Sequence, residues 1–163
     1  MKRLPLIAAI ALAAAACVPG VEPDNNSFSE FAELPDAEWP YARAYRFIPA
    51  TTADSVVRGT LLLSLRHTAS YPYSNLWIEL AQGEPDDSVP MLRDTFDIAI
   101  ADPFGRWLGS GMGASLRRTD TLSRDFTLVR GRRLTVRHIM RTDTLDGIEQ
   151  VGLVFIPDKD SDR

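Results

Sequence analysis

Cysteine and histidine are nearly missing from this 163-residue chain, which contains one cysteine and two histidines. A single cysteine excludes an internal disulfide and a zinc cage built from thiolates. His67 and His138 stand far apart and belong to no group with metal-ligand spacing, so we predict no metal site. The folded part must therefore be stabilised by packing.

Long apolar runs and helical periodicity are also lacking. After the first seventeen residues, no apolar run approaches the roughly 20 residues that a membrane-spanning helix needs. No stretch repeats apolar residues at the helical period, and turn signals recur about every 10–15 residues. This pattern predicts an all-β domain, and we expect a two-sheet antiparallel β-sandwich of the jelly-roll or immunoglobulin-like type.

The chain has no excess of basic residues. Its formal net charge is −4, and cleavage of a leader that carries Lys2 and Arg3 lowers this value by two, to −6. Nucleic-acid binding needs a clustered basic surface, so nucleic acid is excluded as a partner. Arg130, Arg132 and Arg133 form only a small basic group, of a kind that is usually solvated.

The first seventeen residues have the layout of a secretory signal. Two cations precede an uncharged apolar run, and small residues lead to Cys17. The segment Ala14-Ala15-Ala16-Cys17 resembles the bacterial lipoprotein box, although that pattern usually has leucine where Ala14 stands. We therefore expect residues 1–16 to be a cleaved signal peptide and Cys17 to carry acyl chains that anchor the protein in a membrane. The alternatives are ordinary cleavage that leaves a free cysteine, and an apolar helix inside a cytosolic fold.

A flexible tether is expected at residues 17–26, where proline, glycine and asparagine are frequent. Val18 follows the cysteine in place of the aspartate that usually marks inner-membrane retention. This favours the outer membrane, facing the periplasm, with the inner membrane as the alternative. The β-sandwich domain is expected to span residues 27–157, and a charged tail residues 158–163.

Alternating apolar and polar residues predict the strands of this domain. The clearest strand covers residues 57–67, where Val57, Leu61, Leu63 and Leu65 share one face. Two prolines exclude a helix interior at residues 34–40. Turns are expected at residues 102–105 and 146–147. Further strands are expected at 27–31, 44–49, 75–80 and 93–100, within 115–129, and at 134–141 and 149–156.

The glycine cluster at residues 109–113 does not match a catalytic loop. A nucleophile elbow needs Gly-x-Ser-x-Gly, and a dinucleotide loop needs Gly-x-Gly-x-x-Gly at the start of a helix. The segment Gly109-Ser110-Gly111-Met112-Gly113 has neither spacing. We expect these glycines to let strands bend or pack closely.

Carboxylates are the remaining candidates for chemistry. A glycoside hydrolase needs two of them converging in a cleft, at roughly 5–10 Å. Aspartate beside glycine or proline is ordinary turn chemistry, and residues 143–147 lack the ligand spacing of a calcium loop. We therefore expect no enzyme activity and keep an envelope hydrolase as the alternative. Structural roles are expected for the carboxylates of Asp94, Asp97, Asp102, Asp143, Asp146 and Glu149.

Three groups of motifs follow one another along the chain. They are Ser64-Leu65-Arg66-His67 with Tyr71-Pro72-Tyr73-Ser74-Asn75-Leu76-Trp77, then Asp94-Thr95-Phe96 with residues 101–111, and Met140-Arg141-Thr142-Asp143 with residues 145–153. In order and spacing they resemble the gliding motility-associated lipoprotein family GldH of Bacteroidetes-type bacteria, over about residues 28–156. One departure is Arg132-Arg133-Leu134, where an aromatic residue is expected after the glycine turn.

The resemblance implies an accessory lipoprotein of the gliding machinery, which is linked to type IX secretion. It implies support of other envelope or gliding-machinery lipoproteins by protein contact, with no catalytic residues, cofactor or small-molecule substrate to carry over. The lipid anchor on Cys17 agrees with this.

Aromatic residues in the motifs are the candidates for a binding surface. One hypothesis is a loop-borne surface that contacts envelope proteins. The other is a glycan-binding module that uses Tyr71, Tyr73, Trp77 and Trp107 as a platform. The candidate interaction surface consists of Tyr71, Tyr73, Asn75, Trp77, Phe104, Arg106 and Trp107.

Overall fold

A computed structural model describes residues 27–49, 56–83, 92–111, 113–129 and 131–158. The expected signal peptide, Cys17 and the tether lie outside the described residues, as do residues 159–163 of the expected tail. The described residues form an antiparallel β-structure, which confirms the predicted all-β fold class.

The strands follow one another with one short helical turn among them. A single 3₁₀ turn, Pro35–Ala37, lies after the first strand. The strands are β1 Phe28–Glu33, β2 Glu38–Pro40, β3 Tyr45–Phe47, β4 Val56–Thr68, β5 Asn75–Gly83, β6 Leu92–Ala99, β7 Ser115–Val129, β8 Arg133–His138, β9 Thr144–Asp146 and β10 Ile148–Pro157.

The strand pairs are nested like one long hairpin. β5 pairs with β6, β4 with β7, β3 with β8, β2 with β9 and β1 with β10, and all of these pairs are antiparallel. This long hairpin folds over, and two further strand pairs then form, β4 with β10 and β5 with β8. The first half of the described chain is therefore paired with the second half.

Two four-stranded sheets result. Sheet I has the order β1-β10-β4-β7, and sheet II has the order β3-β8-β5-β6. Eight strands in two sheets with this nested pairing form a jelly roll, one of the two sandwich types expected. β2 and β9 form a separate two-stranded sheet.

The core lies between the inner faces of the two sheets. Val57, Leu61, Leu63 and Leu65 of β4 are buried, as their alternation predicts. Sheet II contributes the buried side chains of Leu76, Ile78 and Leu80, and β10 adds Val151, Leu153 and Phe155. Burial on this scale supplies the packing that a chain without disulfides needs.

The strands differ from the sequence prediction in two places. β8 ends at His138 and not at residue 141: the N–H of Ile139 still donates to the carbonyl of Trp77 at 2.9 Å, but the N–H of Trp77 donates to the sulfur of Met140 and not back to Ile139. β2 and β9 were not predicted, since three residues are too few to show an alternation. The prediction of one or two strands within 115–129 is confirmed, since these residues form the single strand β7.

The sandwich has two ends with different connections. Ser27, the β7–β8 turn and Pro157 lie at one end, which we call the proximal pole because the chain enters there. The connections 34–44, 69–74 and 139–147, together with residues 100–111 and 113–114, meet at the other end, which we call the distal pole. β4 has 13 residues, so the poles lie about 40 Å apart at roughly 3.3 Å per residue.

Candidate functional site

The distal pole brings together the predicted surface residues of two separate connections. The carbonyl of Ser74 accepts hydrogen bonds from the backbone N–H groups of Ile100 and Ala101, at 2.8 and 2.9 Å. Residues 69–74 and 100–110 are thereby fixed side by side.

A small hairpin, residues 101–107, is organised by the carboxylate of Asp102. Its Oδ1 accepts from the backbone N–H groups of Phe104 and Arg106, each at 2.9 Å, and its Oδ2 accepts from Nε of Arg106 at 2.7 Å. These bonds, first of all the one from the Arg106 backbone, hold the pKa of Asp102 below its usual value. Gly105 completes the turn with φ +79°. We call this element the Asp102 hairpin.

The Asp102 hairpin presents Phe104 to solvent. The Phe104 side chain is 85% exposed, the largest exposure among the described large apolar residues. Its ring has the Arg106 guanidinium over it, 5.8 Å from the centroid. An aromatic side chain held in water on an ordered turn makes no contribution to the core, and rigid aromatic residues are typical anchors of binding surfaces.

Tyr71 and Trp107 require a correction, because they do not belong to an exposed surface. Tyr71 is only 3% exposed, and its hydroxyl donates to the carbonyl of Asn75 at 2.8 Å. Trp107 is half-buried against the core, 5.0 Å from the ring of His67. Burial raises the pKa of Tyr71. These two aromatics support the loops from inside.

His67 is buried and packs against the rings of Tyr71 and Trp107. Its Nδ1 donates to the carbonyl of Thr68 at 2.9 Å, and Nε2 has no hydrogen-bond partner within the described residues. It lies among aromatic rings and not among ligating groups, so a structural role is favoured.

The other predicted aromatics, Tyr73 and Trp77, lie at the surface, 40% and 41% exposed. They line a hollow of about 540 Å³ together with Ile139, Met140 and Arg141. The backbone N–H of Trp77 donates to the sulfur of Met140 at 3.3 Å, which fixes the floor of the hollow.

A second hollow, of about 500 Å³, lies on the other side of residues 139–141 and is lined by Tyr41 and Asp143 as well. We call Tyr41, Tyr73, Trp77, Met140 and Arg141 the aromatic patch. Sequence reasoning missed Tyr41, Met140 and Arg141 as surface residues. Residues 140–141 carried a signal in the third motif group, but they were assigned to a strand.

Asn75 completes the set of predicted residues and lies beside the patch. Its side-chain amide donates to Oδ1 of Asp97 at 2.7 Å, across the β5–β6 pair. Asp97 is directly opposite Trp77 in the register. This pair gives the patch a polar border.

A buried aromatic cluster supports the aromatic patch from below. Trp39 is 0% exposed and its Nε1 donates to the carbonyl of Arg43 at 2.8 Å. His138 meets the rings of Trp39 and Tyr41 edge-on, each at 5.5 Å, and neither of its ring nitrogens makes a hydrogen bond of normal geometry to a described residue. Burial lowers the pKa of His138, and the backbone of Trp39 opposes this shift. His138 is therefore held neutral.

Two carboxylates, those of Glu33 and Glu149, converge on one arginine outside the core. Glu33 and Glu149 both contact Arg66, at 2.7 and 3.2 Å, so a cation stands between them. Ser115 donates to Glu149, and Gln150 to Glu33. This arrangement resembles a structural ion-pair network more than an acid and base pair in a cleft. In the part of the chain that the structure describes, no three metal-ligating side chains come together.

Two glycines of the 109–113 cluster pack loop against strand, as expected. A Cβ on Gly109 would lie 2.7 Å from the carbonyl oxygen of Arg117, and one on Gly111 would meet that of Ser115. Ser110 forms an antiparallel bridge with Arg117 at the start of β7. The glycines serve close backbone packing and not catalysis.

Fold and surface together define a jelly-roll domain with Tyr41, Tyr73, Trp77 and Phe104 exposed at one pole. Residues 26–155 match the model of the GldH lipoprotein family, so the chain belongs to that family. Membership implies a protein that is anchored by lipid to a membrane of the cell envelope. Within the described residues, no helix is long and apolar enough to cross a membrane. None of the curated proteins matches the chain.

Several solved structures are similar at low identity. Eiger TNF from S. frugiperda is 12% identical over 84% of this chain and 96% of that chain, with a TM-score of 0.40. Cocksfoot mottle virus is 14% identical over 97% and 96%, with a TM-score of 0.30. Dimeric latent PorU from Porphyromonas gingivalis is 14% identical over 82% of this chain and 13% of that chain, with a TM-score of 0.30.

Proposed function

We propose that this protein is a lipid-anchored, non-enzymatic component of the envelope that supports gliding motility and the type IX secretion machinery by binding other envelope proteins. The observation that carries the proposal is the position of the exposed aromatics. The aromatic patch and Phe104 lie at the distal pole, opposite the end where the chain arrives from Cys17.

The anchor would be Cys17, acylated after cleavage of residues 1–16. Ten residue steps separate Cys17 from Ser27, which span at most about 35 Å. The proximal pole then stays near the bilayer while the distal pole faces away from it. Val18 favours the outer membrane, facing the periplasm. Tethering raises the local concentration of partners in the same membrane system.

The residue types of the distal surface favour a protein partner. Tryptophan, tyrosine and arginine are the residues most enriched among interface hot spots, and methionine is enriched in interface cores. Trp77, Tyr73, Met140 and Arg141 meet in one hollow, with Phe104 on a neighbouring turn. Of the four members of the glycan platform, Tyr71 is buried and Trp107 is partly buried against the core.

A test combines genetics and affinity purification in the native host. A strain that lacks the protein is complemented with wild type, with Trp77→Ala/Phe104→Ala, or with Ile48→Ala/Ile156→Ala. The last pair removes exposed apolar residues of the proximal pole and is the matched control. We expect the distal variant to lose motility, secretion and its co-purifying envelope protein, while the control keeps all three.

The proposal is wrong if the distal variant, present in membranes at normal level, behaves like wild type. Glycan-array binding that is lost on Trp77→Ala would support the glycan-binding module in its place. Metabolic acyl labelling of wild type and Cys17→Ser tests the anchor separately, since unlabelled wild-type protein in the soluble fraction refutes the anchor and not the surface.

A further inference from the structure

A second candidate site lies along the seam between the two sheets, away from the aromatic patch. β6 and β7 are the edge strands of sheets II and I on the same side of the sandwich. Near the distal pole the seam is closed, because Nε of Arg118 on β7 donates to the carbonyl of Ala99 on β6 at 3.2 Å. Towards the proximal pole the buried side chain of Gln82 on β5 bridges the sheets again, since it donates to the carbonyl of Thr127 and accepts from the N–H of Val129 on β7. Between these two closures the sheets part and leave a cleft of about 310 Å³.

The cleft has apolar walls from both sheets. Leu80, Leu92 and Phe96 contribute from sheet II, and Phe126 contributes from sheet I. The lining also includes two carboxylates, Asp94 and Asp125. An apolar trough with acids in its lining complements a side chain that is itself apolar along its stem and positive at its end.

Asp94 stands where the strand pattern calls for an apolar residue. It shares the inner side of β6 with Leu92, Phe96 and Ile98, yet it is exposed in the cleft. Within the described ranges its carboxylate has neither a hydrogen bond nor an ion pair. An inward carboxylate on an edge strand discourages unselective strand pairing, and it also selects for a positive partner.

Asp125 is placed in the cleft by an irregularity of β7. The register of β7 against β4 shifts between Gly59 and Leu62, so that β7 has extra residues around Ser123–Asp125. Bulges of this kind redirect side chains. The backbone N–H of Asp125 donates to Oγ of Ser123 at 3.3 Å, and its carboxylate forms a 3.9 Å pair with Arg58, in which both side chains are largely exposed. Such a pair is weak, so the carboxylate can accept another cation.

We propose that this cleft receives a lysine or arginine side chain from an extended segment of a partner polypeptide, which adds as a strand to the free edge of β6. Main-chain hydrogen bonds to the eight-residue edge provide affinity, as in other strand additions. The aliphatic stem lies between Phe96 and Phe126, and the charged head meets Asp94 and Asp125. Charge complementarity selects this occupant over an acidic segment.

The test uses the full-length acylated protein in detergent micelles and a defined probe. The probe is a capped eight-residue peptide of alternating valine and threonine with one central lysine, and its relatives carry norleucine or glutamate in place of lysine. Fluorescence anisotropy measures binding, and hydrogen exchange with mass spectrometry locates it. We expect the lysine peptide to bind at least roughly tenfold more tightly than the others and to protect residues 92–99.

Two variants make the result specific. Asp94→Asn/Asp125→Asn, which changes no volume, is expected to weaken the lysine peptide roughly tenfold and to leave the norleucine peptide unchanged. Asp146→Asn, at an exposed position of β9 outside the cleft and the aromatic patch, is the control and keeps full binding. Equal binding of the lysine and norleucine peptides would overturn the proposal, as would no binding at about 1 mM, protection outside β6, or dimerisation of the protein through β6.

Discussion

Within the described residues, the distal pole and the proximal pole differ in how closely the chain is packed where it closes the two sheets. The distal connections add a two-stranded sheet, a 3₁₀ turn and the Asp102 hairpin, and they contain the buried rings of Trp39, Tyr71 and His138. Of the proximal connections, the structure describes residues 48–49 and 131–132, and Gly131 has φ +72° with open space around it. The distal pole thus has a core of its own, which the described part of the proximal pole does not show.

The order of the distal connections indicates that they serve more than chain reversal. A hairpin turn needs two to five residues, whereas 34–44 and 100–111 are longer and internally ordered. Ordered loops of this length on a rigid scaffold are where binding residues usually lie. The buried aromatics hold the loops, and Phe104, Tyr73 and Trp77 are left at the surface.

The largest expected effect separates the two kinds of tryptophan at the distal pole. Trp39→Ala removes a fully buried ring and its hydrogen bond to Arg43, so we expect a loss of about 3–5 kcal/mol in the free energy of unfolding. Trp77→Ala removes an exposed ring, and we expect a loss below about 1 kcal/mol. Chemical denaturation followed by circular dichroism measures both. Similar losses would mean that Trp77 is a structural residue and not a binding one.

Two glycines offer a matched comparison of the poles. Gly147 at the distal pole has φ +89°, and a Cβ there would lie 2.9 Å from Cα of Tyr71. Gly131 at the proximal pole has φ +72° with nothing within 4 Å of a Cβ. Strain of the backbone costs about 1–3 kcal/mol in either case, and crowding adds to it only at Gly147. We therefore expect Gly147→Ala to lower the melting temperature clearly more than Gly131→Ala.

Equal shifts of the two melting temperatures would contradict the comparison, because they would show that the distal connections are packed no more closely than the proximal turn.

The smallest expected effect is a dependence of stability on pH, caused by His138 in the buried cluster of the distal pole. Burial lowers the pKa of His138 in the folded state, so the unfolded chain binds more protons once the pH falls below about 6.5. Stability is therefore complete above that value and decreases as the pH falls towards the folded pKa. Melting curves between pH 7.5 and 5.5 measure the slope.

His138→Phe supplies the control for this slope, because neither ring nitrogen makes a hydrogen bond of normal geometry to a described residue. The variant should flatten the pH dependence in that range. A slope that survives the substitution would assign it to other groups. At lower pH a separate loss is expected, since the depressed pKa of Asp102 stabilises the folded state only above its unfolded value.

The sandwich could be predicted because its strands follow a local rule. Alternation in residues 57–67 and 75–80 places every second side chain inward, and the structure buries those side chains. β2 and β9 escaped prediction because strands of three residues, next to prolines or turns, contain almost no pattern. The jelly-roll order depends on long-range pairing, and the sequence of one chain does not reveal which strands meet.

The candidate surface could be predicted only in part, for the same reason. Tyr71 and Tyr73 look alike in the motif, but one ring points to His67 and the other to solvent. Tyr41 and Met140 come near Trp77 only after β2, β8 and β9 have assembled. The sequence identified the aromatic residues, but only the fold shows which rings are buried beneath the loops and which are exposed to solvent.

The most direct test of the central claim is site-specific photo-crosslinking in living cells of the native host. A benzophenone amino acid is placed at Phe104, at the tip of the Asp102 hairpin, or at Ile48, an exposed apolar residue of the proximal pole. Both positions tolerate a large ring without entering the core. The account predicts a discrete adduct with an envelope protein from position 104 and none from position 48. An adduct with the same protein from position 48, and none from position 104, would contradict it.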